Sequence, residues 1–252
     1  MTARFPMSFQ RIAYEALEVC NGVELATLEA AVARTGLGAG ATAIDIGTGN
    51  ATVAIQLAQR FGLTVAAIEL DPVMAELARS RIDAAGLGDR VSLSIARSAE
   101  VLASTSPADL IVALGTTDVS GEGRPTPEAG FIALRRSLKP GGWLLWGDII
   151  WRTEPPAPLR QITEVTNLYT DDARWRAAAA AAGFEVVLGR ISPPEVFEAY
   201  PRDAITAARA WAERRVVPAE TVDQAYACIA SADFRAGIAA FLAKRRPVFE
   251  GQ

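Results

Sequence analysis

The sequence predicts an α/β fold built on a doubly wound, Rossmann-like and mostly parallel sheet. Three observations predict it. Short apolar runs alternate with helical patterns from residue 42 to residue 191. The runs are nearly continuous in apolar character, as strands covered by helices on both faces require. The first run, TAIDIG, ends in a glycine turn, Gly47-Thr48-Gly49, directly before a helical stretch, the arrangement in which such sheets bind ligands at their carboxyl edge.

The candidate strands are 42–47, 63–70, 90–96, 108–115, 141–150 and 184–191, and the intervening helices are 50–61, 72–86, 127–138 and 172–182. Strands separated by helices imply βαβ units. LKPGGWLL reads as a helix end, a Pro-Gly-Gly turn and a strand start. Residues 8–36 read as helical before the first strand, and residues 202–245 as helical after the last, interrupted at VVPAE. The alanine run 177–182 fits a small-residue helix packed on a sheet.

Composition narrows the function. The chain has 252 residues, half of them hydrophobic, enough for one large domain or a domain with an appendage. Its net charge of −4 is dispersed, which argues against a nucleic-acid surface that works by phosphate neutralisation. No apolar stretch is long enough to span a bilayer, and the first residues lack a signal peptide's apolar segment. Cys20 and Cys228 lie far apart without a CxxC motif, the usage of a reducing, cytoplasmic compartment. The chain contains no histidine. That removes every imidazole base and the Ser-His-Asp and Cys-His arrangements. It also leaves no plausible catalytic zinc site, so no metal is expected.

The glycine turn raises the question of its ligand. A dinucleotide fingerprint needs glycine at position 52, where this chain has Thr52. A pyrophosphate also avoids a neighbouring carboxylate, and Asp45 stands beside the turn. A ligand with an ammonium and a sulfonium and no phosphate fits better, and S-adenosylmethionine is one. Asp45 can attract the ammonium, and Gly47 and Gly49 let the backbone approach without a Cβ. Glu69 ends the second strand, twenty residues after Gly49, at a spacing suited to a carboxylate that accepts the ribose hydroxyls. Leu70 can flank the adenine, while Asp71 and Pro72 read as the N-cap and first turn of the next helix.

DIGTGNA, AIELDP, DLIVALGTTD and RSLKPGGWLLWGD, in that order and each on a predicted strand, resemble the class I S-adenosylmethionine-dependent methyltransferases over residues 35–192. The run WGDIIWRTEPP resembles a bacterial subgroup acting on small molecules. The resemblance implies a seven-stranded sheet ordered 3-2-1-4-5-7-6 with strand seven antiparallel. It implies S-adenosylmethionine as cofactor, S-adenosylhomocysteine as product, and cofactor contacts from Asp45, Gly47, Thr48, Gly49, Glu69, Leu70, Ser98, Leu114 and Gly115. It divides the chain into an N-terminal helical lid (1–36), the cofactor domain (37–192) and a C-terminal helical region completing that domain (193–252). Two departures stand out. Where the family often has Gly-Asp-Ala after strand three, this chain has Ala96-Arg97-Ser98-Ala99. Arg97 cannot accept from the adenine amine, so Ser98, Glu100 or a backbone carbonyl is left to do so. Only RPVFEGQ remains at the C-terminus for a seventh strand.

Methyl transfer is an in-line displacement, and the protein mainly aligns the nucleophile. Without histidine, the expected acceptors are already anionic, or are served by a carboxylate or tyrosine base. Asp148 is the first choice for that base and Tyr14 the second. Phe9, Thr117, Asp118, Trp151 and Arg152 are candidate substrate contacts above the ends of strands four and five. Each also has a structural alternative, as a loop cap, a packing ring or a solvated charge. ARAWAERR (207–214) is amphipathic, a candidate lid or homodimer face. Two other chemistries compete: cyclisation or lysis of the same cofactor on the same fold, and a NAD-dependent oxidoreductase, which Asp45 and Thr52 oppose.

Overall fold

The computed structural model describes residues 9–116, 119, 126–158, 160–161 and 169–214. Two helices come first, α1 (Phe9–Ala16) and α2 (Leu25–Thr35). Then follow β1 (Thr42–Ile46), α3 (Thr52–Phe61), β2 (Thr64–Glu69), α4 (Pro72–Ala84), β3 (Val91–Ile95), α5 (Ser98–Ser104) and β4 (Ala108–Leu114). α6 (Pro127–Arg136), β5 (Leu138–Gly147), α7 (Asp172–Ala181) and α8 (Pro194–Glu213) complete the described elements.

The sheet is parallel and ordered β3-β2-β1-β4-β5. Strand order reverses at β1, so the crevice lies above the carboxyl ends of β1 and β4. Side chains alternate across the sheet. Ala43, Val65, Ala67, Leu110 and Val112 pack with α3 and α4 on one face. Ile44, Ile46, Ile68, Ile111 and Ala113 pack with α6 and α7 on the other. On that second face Phe131 meets Trp146, Trp175 and Phe184 at ring distances of 5.1, 5.9 and 6.0 Å, mostly edge-on.

Helix starts follow the local chemistry. Asp71 caps α4 by accepting from the Val73 N–H at 2.8 Å, with Pro72 at the first helical position. Thr126 and Asp171 cap α6 and α7 in the same way, accepting from Ala129 and Arg174 N–H groups. At the amino edge of the sheet, Asp109 Oδ2 accepts from Thr42 N at 2.8 Å, Thr42 Oγ1 at 2.9 Å and Lys139 Nζ at 2.7 Å. Those bonds, with Lys139 first, hold the Asp109 carboxyl down to about 2 and join β1, β4 and β5.

Several expectations change. Among the described residues the sheet has five strands, not seven. Residues 184–191 form no strand with any described residue, and Val186, Val187, Leu188 and Ile191 are exposed, Val187 by 52%. The run has strand-forming residues, yet a strand exists only through a ladder, and no described strand lies beside it. The candidate seventh strand at 246–252 lies outside the described residues. The helix expected over 8–36 is two helices split by an irregular stretch at 17–24. β5 begins at Leu138, three residues earlier than the pattern suggests, and the Pro140-Gly141-Gly142 turn survives as a register shift between Ala108 and Leu110. α5 is a helix that periodicity did not reveal. No helix among the described residues is long and apolar enough to cross a membrane.

Candidate active site

The chain after β1 turns sharply. Gly47, Gly49 and Ala51 have φ of 68°, 57° and 62°, all in the left-handed region. A Cβ on Gly47 would stand 2.8 Å from Thr116 Oγ1, which donates to the Ile46 carbonyl at 3.1 Å. Gly47→Ala therefore combines backbone strain with a displaced Thr116. We expect it to lower unfolding free energy by about 1–3 kcal/mol, read as a drop in the urea midpoint at unchanged slope.

Glu69 anchors this turn. Its Oε2 accepts from the Gly49 N–H at 2.9 Å. Its Oε1 accepts from Leu70 N at 2.9 Å and Asp71 N at 3.0 Å. The loop N–H that would meet a pyrophosphate is thus already bound to a protein carboxylate. Beside it Leu70 is 60% exposed, an apolar surface at the mouth of the cleft.

Asp45 is only 4% exposed. Its Oδ2 accepts from Thr48 Oγ1 at 2.6 Å, so the carboxylate organises the turn from beneath. Burial raises its carboxyl to about 6, helped by the Glu69 charge and opposed by the Thr48 bond. Thr48 also donates its N–H to the Ile68 carbonyl at 2.9 Å, which stitches the turn to β2.

Across the cleft, Gly115 follows β4 with φ of 67°, and its N–H donates to the Gly147 carbonyl at 2.7 Å. A Cβ there would meet Asn21 Nδ2 at 3.0 Å, and one on Gly49 would meet Cys20 Sγ at 3.2 Å. The stretch after α1 therefore lies directly over both glycine turns. Asn50 holds it there. Asn50 Nδ2 donates to the carbonyls of Leu17 at 2.8 Å, Tyr14 at 3.1 Å and Glu18 at 3.3 Å. Its Oδ1 accepts from Thr52 N, the first N–H of α3, at 3.1 Å. Arg81 adds a second tie, donating to the Glu15 carbonyl at 2.6 Å.

Asp148 directly follows β5. Its Oδ1 accepts from the Ile149 N–H at 2.7 Å, while its Oδ2 is buried with no hydrogen-bond partner. Burial, with no compensating cation, raises its carboxyl to about 6. Tyr169 stands near enough for the Asp148 charge to act on its phenol, which burial already pushes up to about 12. Trp151 donates Nε1 to the Tyr169 carbonyl at 3.2 Å, with ring centres 6.0 Å apart, so this ring braces Tyr169. Tyr14 on α1 and Tyr200 on α8 share a hydrogen bond of 2.7 Å between their hydroxyls. Burial raises both phenols.

The structure thus brings Asp45, Gly47, Thr48, Gly49, Glu69 and Leu70 into one cleft, with Leu114 and Gly115 across it. Ser98 opens α5 beyond β3, next to the exposed Arg97. Arg152 is exposed. Phe9 begins α1 but its side chain lies outside the described residues, as do Thr117 and Asp118. Sequence reasoning missed Cys20, Asn21, Asn50, Tyr169 and Tyr200. Only Asn50 left a signal, as a polar residue inside the glycine motif. Among the described residues no group of three or more His, Cys, Asp or Glu side chains is arranged to hold a metal ion.

A parallel sheet ordered 3-2-1-4-5, a glycine turn closing β1 and a carboxylate closing β2 define a class I S-adenosylmethionine-dependent methyltransferase fold. Residues 43–142 match the family described as methyltransferase domain. The fold is similar to that of an S-adenosylmethionine-dependent methyltransferase from Thiobacillus denitrificans, solved with S-adenosyl-L-homocysteine. The TM-score is 0.73 at 20% identity, over 93% of this chain and 93% of that one. A Geobacter sulfurreducens enzyme of the same description, also with S-adenosyl-L-homocysteine, matches at TM-score 0.73 and 22% identity over 91% of each chain. The uncharacterised protein YjhP of Escherichia coli (strain K12) is 28% identical over 116 residues, 46% of this chain and 45% of that protein. The aligned segment therefore spans less than half of that curated relative.

Proposed function

We propose that this chain binds S-adenosylmethionine in the cleft above β1, β2 and β4 and transfers its methyl group to a small-molecule acceptor. The observation that carries the reading is the bond from Gly49 N–H to Glu69 Oε2. It ties the glycine turn to the β2 carboxylate and takes the Gly49 N–H away from any phosphate. The donor set fits a cation without phosphate: Glu69 at the rim, Asp45 beneath the turn, and the exposed Leu70 as an apolar wall.

Bound there, S-adenosylmethionine supplies a methyl group on a sulfonium, and the carbon–sulfur electron pair stays on sulfur to give S-adenosylhomocysteine. Glu69 keeps free lone pairs for the ribose hydroxyls. Gly115 lets the backbone approach the reacting end. Ser98 or a backbone carbonyl after β3 receives the adenine amine. Asp148, at the height of the β5 end, orients the acceptor and takes up its proton. Phe9, Thr117, Asp118, Trp151 and Arg152 complete the acceptor side.

The first test is calorimetric titration with S-adenosylmethionine and S-adenosylhomocysteine. Micromolar binding of both supports the reading, and binding of neither overturns it. Product analysis follows, where S-adenosylhomocysteine is the expected product and methylthioadenosine would indicate lysis or cyclisation instead.

The raised carboxyls set the pH dependence. Asp148 must be ionised to receive a proton, so turnover at saturating cofactor is expected to climb about tenfold per pH unit up to about 6. Asp148→Asn should abolish that limb. Asp45 titrates in the same range but acts on cofactor affinity, which is why saturation separates the two.

A further inference from the structure

We propose that Asp148, Tyr169, Tyr14 and Tyr200 form the acceptor site and that the acceptor is an amine, so the methyl group goes to nitrogen. The inference rests on the methyltransferase reading and adds the chemical class of the second substrate.

The buried, partnerless Oδ2 of Asp148 calls for a hydrogen-bond donor. None of the described residues supplies a guanidinium or ammonium to it, and the Ile149 N–H reaches only the other oxygen, Oδ1. Tyr169, held against Trp151 three residues after Asp148, lies near enough for the Asp148 charge to act on its phenol. Tyr169 responds to the charges of both Asp148 and Tyr14, and Tyr200 to those of Tyr14 and Tyr169. The Tyr14–Tyr200 bond uses one hydroxyl proton and leaves lone pairs on both oxygens. Neutral phenols add no charge of their own. Their ring faces and oxygens accept from a cation's N–H groups.

This set discriminates among acceptors. A carboxylate would be buried beside Asp148 without a counter-charge. An alcohol must lose a proton about ten pKa units less acidic than the Asp148 carboxyl, and the alkoxide would then face the same anion. An ammonium bound there first gives one proton to the Asp148 carboxylate, which relays it to water, and the neutral amine then attacks through its lone pair. The nitrogen–carbon bond forms, the carbon–sulfur bond breaks, and its electrons stay on sulfur. The positive charge moves from sulfur to nitrogen and arrives next to Asp148, which stabilises it as it develops. A primary or secondary amine then passes its N–H proton to the Asp148 carboxylate and on to water. Tyr200 is a new functional residue in this account, and it sits where α8 packs against α1 through Ala13, Leu17 and Ala204.

The test uses the full chain saturated with S-adenosylhomocysteine and titrated with three probes on one skeleton: phenethylamine, 2-phenylethanol and hydrocinnamate. The expected result is that the amine binds about 30-fold or more tighter than the other two. Asp148→Asn should remove that preference, and Tyr200→Phe should weaken amine binding by about tenfold. Neither should change S-adenosylhomocysteine affinity, which also shows that both variants fold. Labelled methyl from S-adenosylmethionine should then appear in the amine. Equal or stronger binding of the alcohol or the acid overturns the inference, as does an amine preference that survives Asp148→Asn. If S-adenosylhomocysteine binds and the amine does not, the acceptor class falls alone. If S-adenosylhomocysteine does not bind, both readings fall.

Discussion

Glu69→Ala is expected to weaken S-adenosylhomocysteine binding by about 100-fold or more, from two lost charge-assisted contacts at about 1.5–3 kcal/mol each. Glu69 holds three backbone donors, at Gly49, Leu70 and Asp71. Alanine frees all three in a half-buried cleft. The Gly49 N–H then points into the site unpaired, at a turn whose left-handed residues depend on being pinned. The ribose loses its acceptor at the same time. Glu69→Gln is informative because an amide keeps one acceptor and turns a donor toward the loop donors. It should recover little of the loss. Calorimetry reads both variants directly. Binding within threefold of the parent in Glu69→Ala would show that the carboxylate serves only the loop.

Asn50→Asp is expected to be strongly destabilising at the α1 end of the cleft. Asn50 is 2% exposed and its amide nitrogen donates to three carbonyls at the end of α1. Aspartate replaces that donor with an oxygen facing three acceptors. Breaking a buried polar network this way costs about 3 kcal/mol or more. The chain escapes by releasing α1 and the stretch carrying Cys20 and Asn21 from the glycine turns. The expected signature is faster amide exchange across residues 9–22 with the central strands still protected. Tyr14 leaves Tyr200 in the same movement, so acceptor binding should fall further than cofactor binding. Asn50→Ala is the milder control, since it leaves the carbonyls unpaired but adds no repulsion. A uniform loss of protection over the whole sheet in Asn50→Asp would refute a local release.

How much could be read without the fold depends on where the physics is local. The strands β1, β2 and β4 were legible because each is a nearly continuous apolar run of five to seven residues. The start of α4 was legible because Asp71 and Pro72 cap within three residues of one another. The exposed run at 184–191, which forms no strand, was misread for the complementary reason. Valine and isoleucine mark a preference for extended backbone, but the ladder that makes a strand belongs to a neighbour elsewhere in the chain.

The same division runs through the site. By itself the sequence determined the α/β class, the glycine turn at 47–49, the carboxylate that closes β2 and the absence of any imidazole chemistry, because each is a property of one short segment or of composition. Tertiary structure alone decided that Asp45 lies beneath the turn, that Asn50 fastens α1 across the cleft, and that Tyr14 meets Tyr200 186 residues away. It also decided that Asp148 keeps a buried oxygen without a partner. Those facts depend on which groups share a volume from which water is excluded. Hydrogen bonding and desolvation act through space at a few ångströms, and separation along the chain carries no record of them.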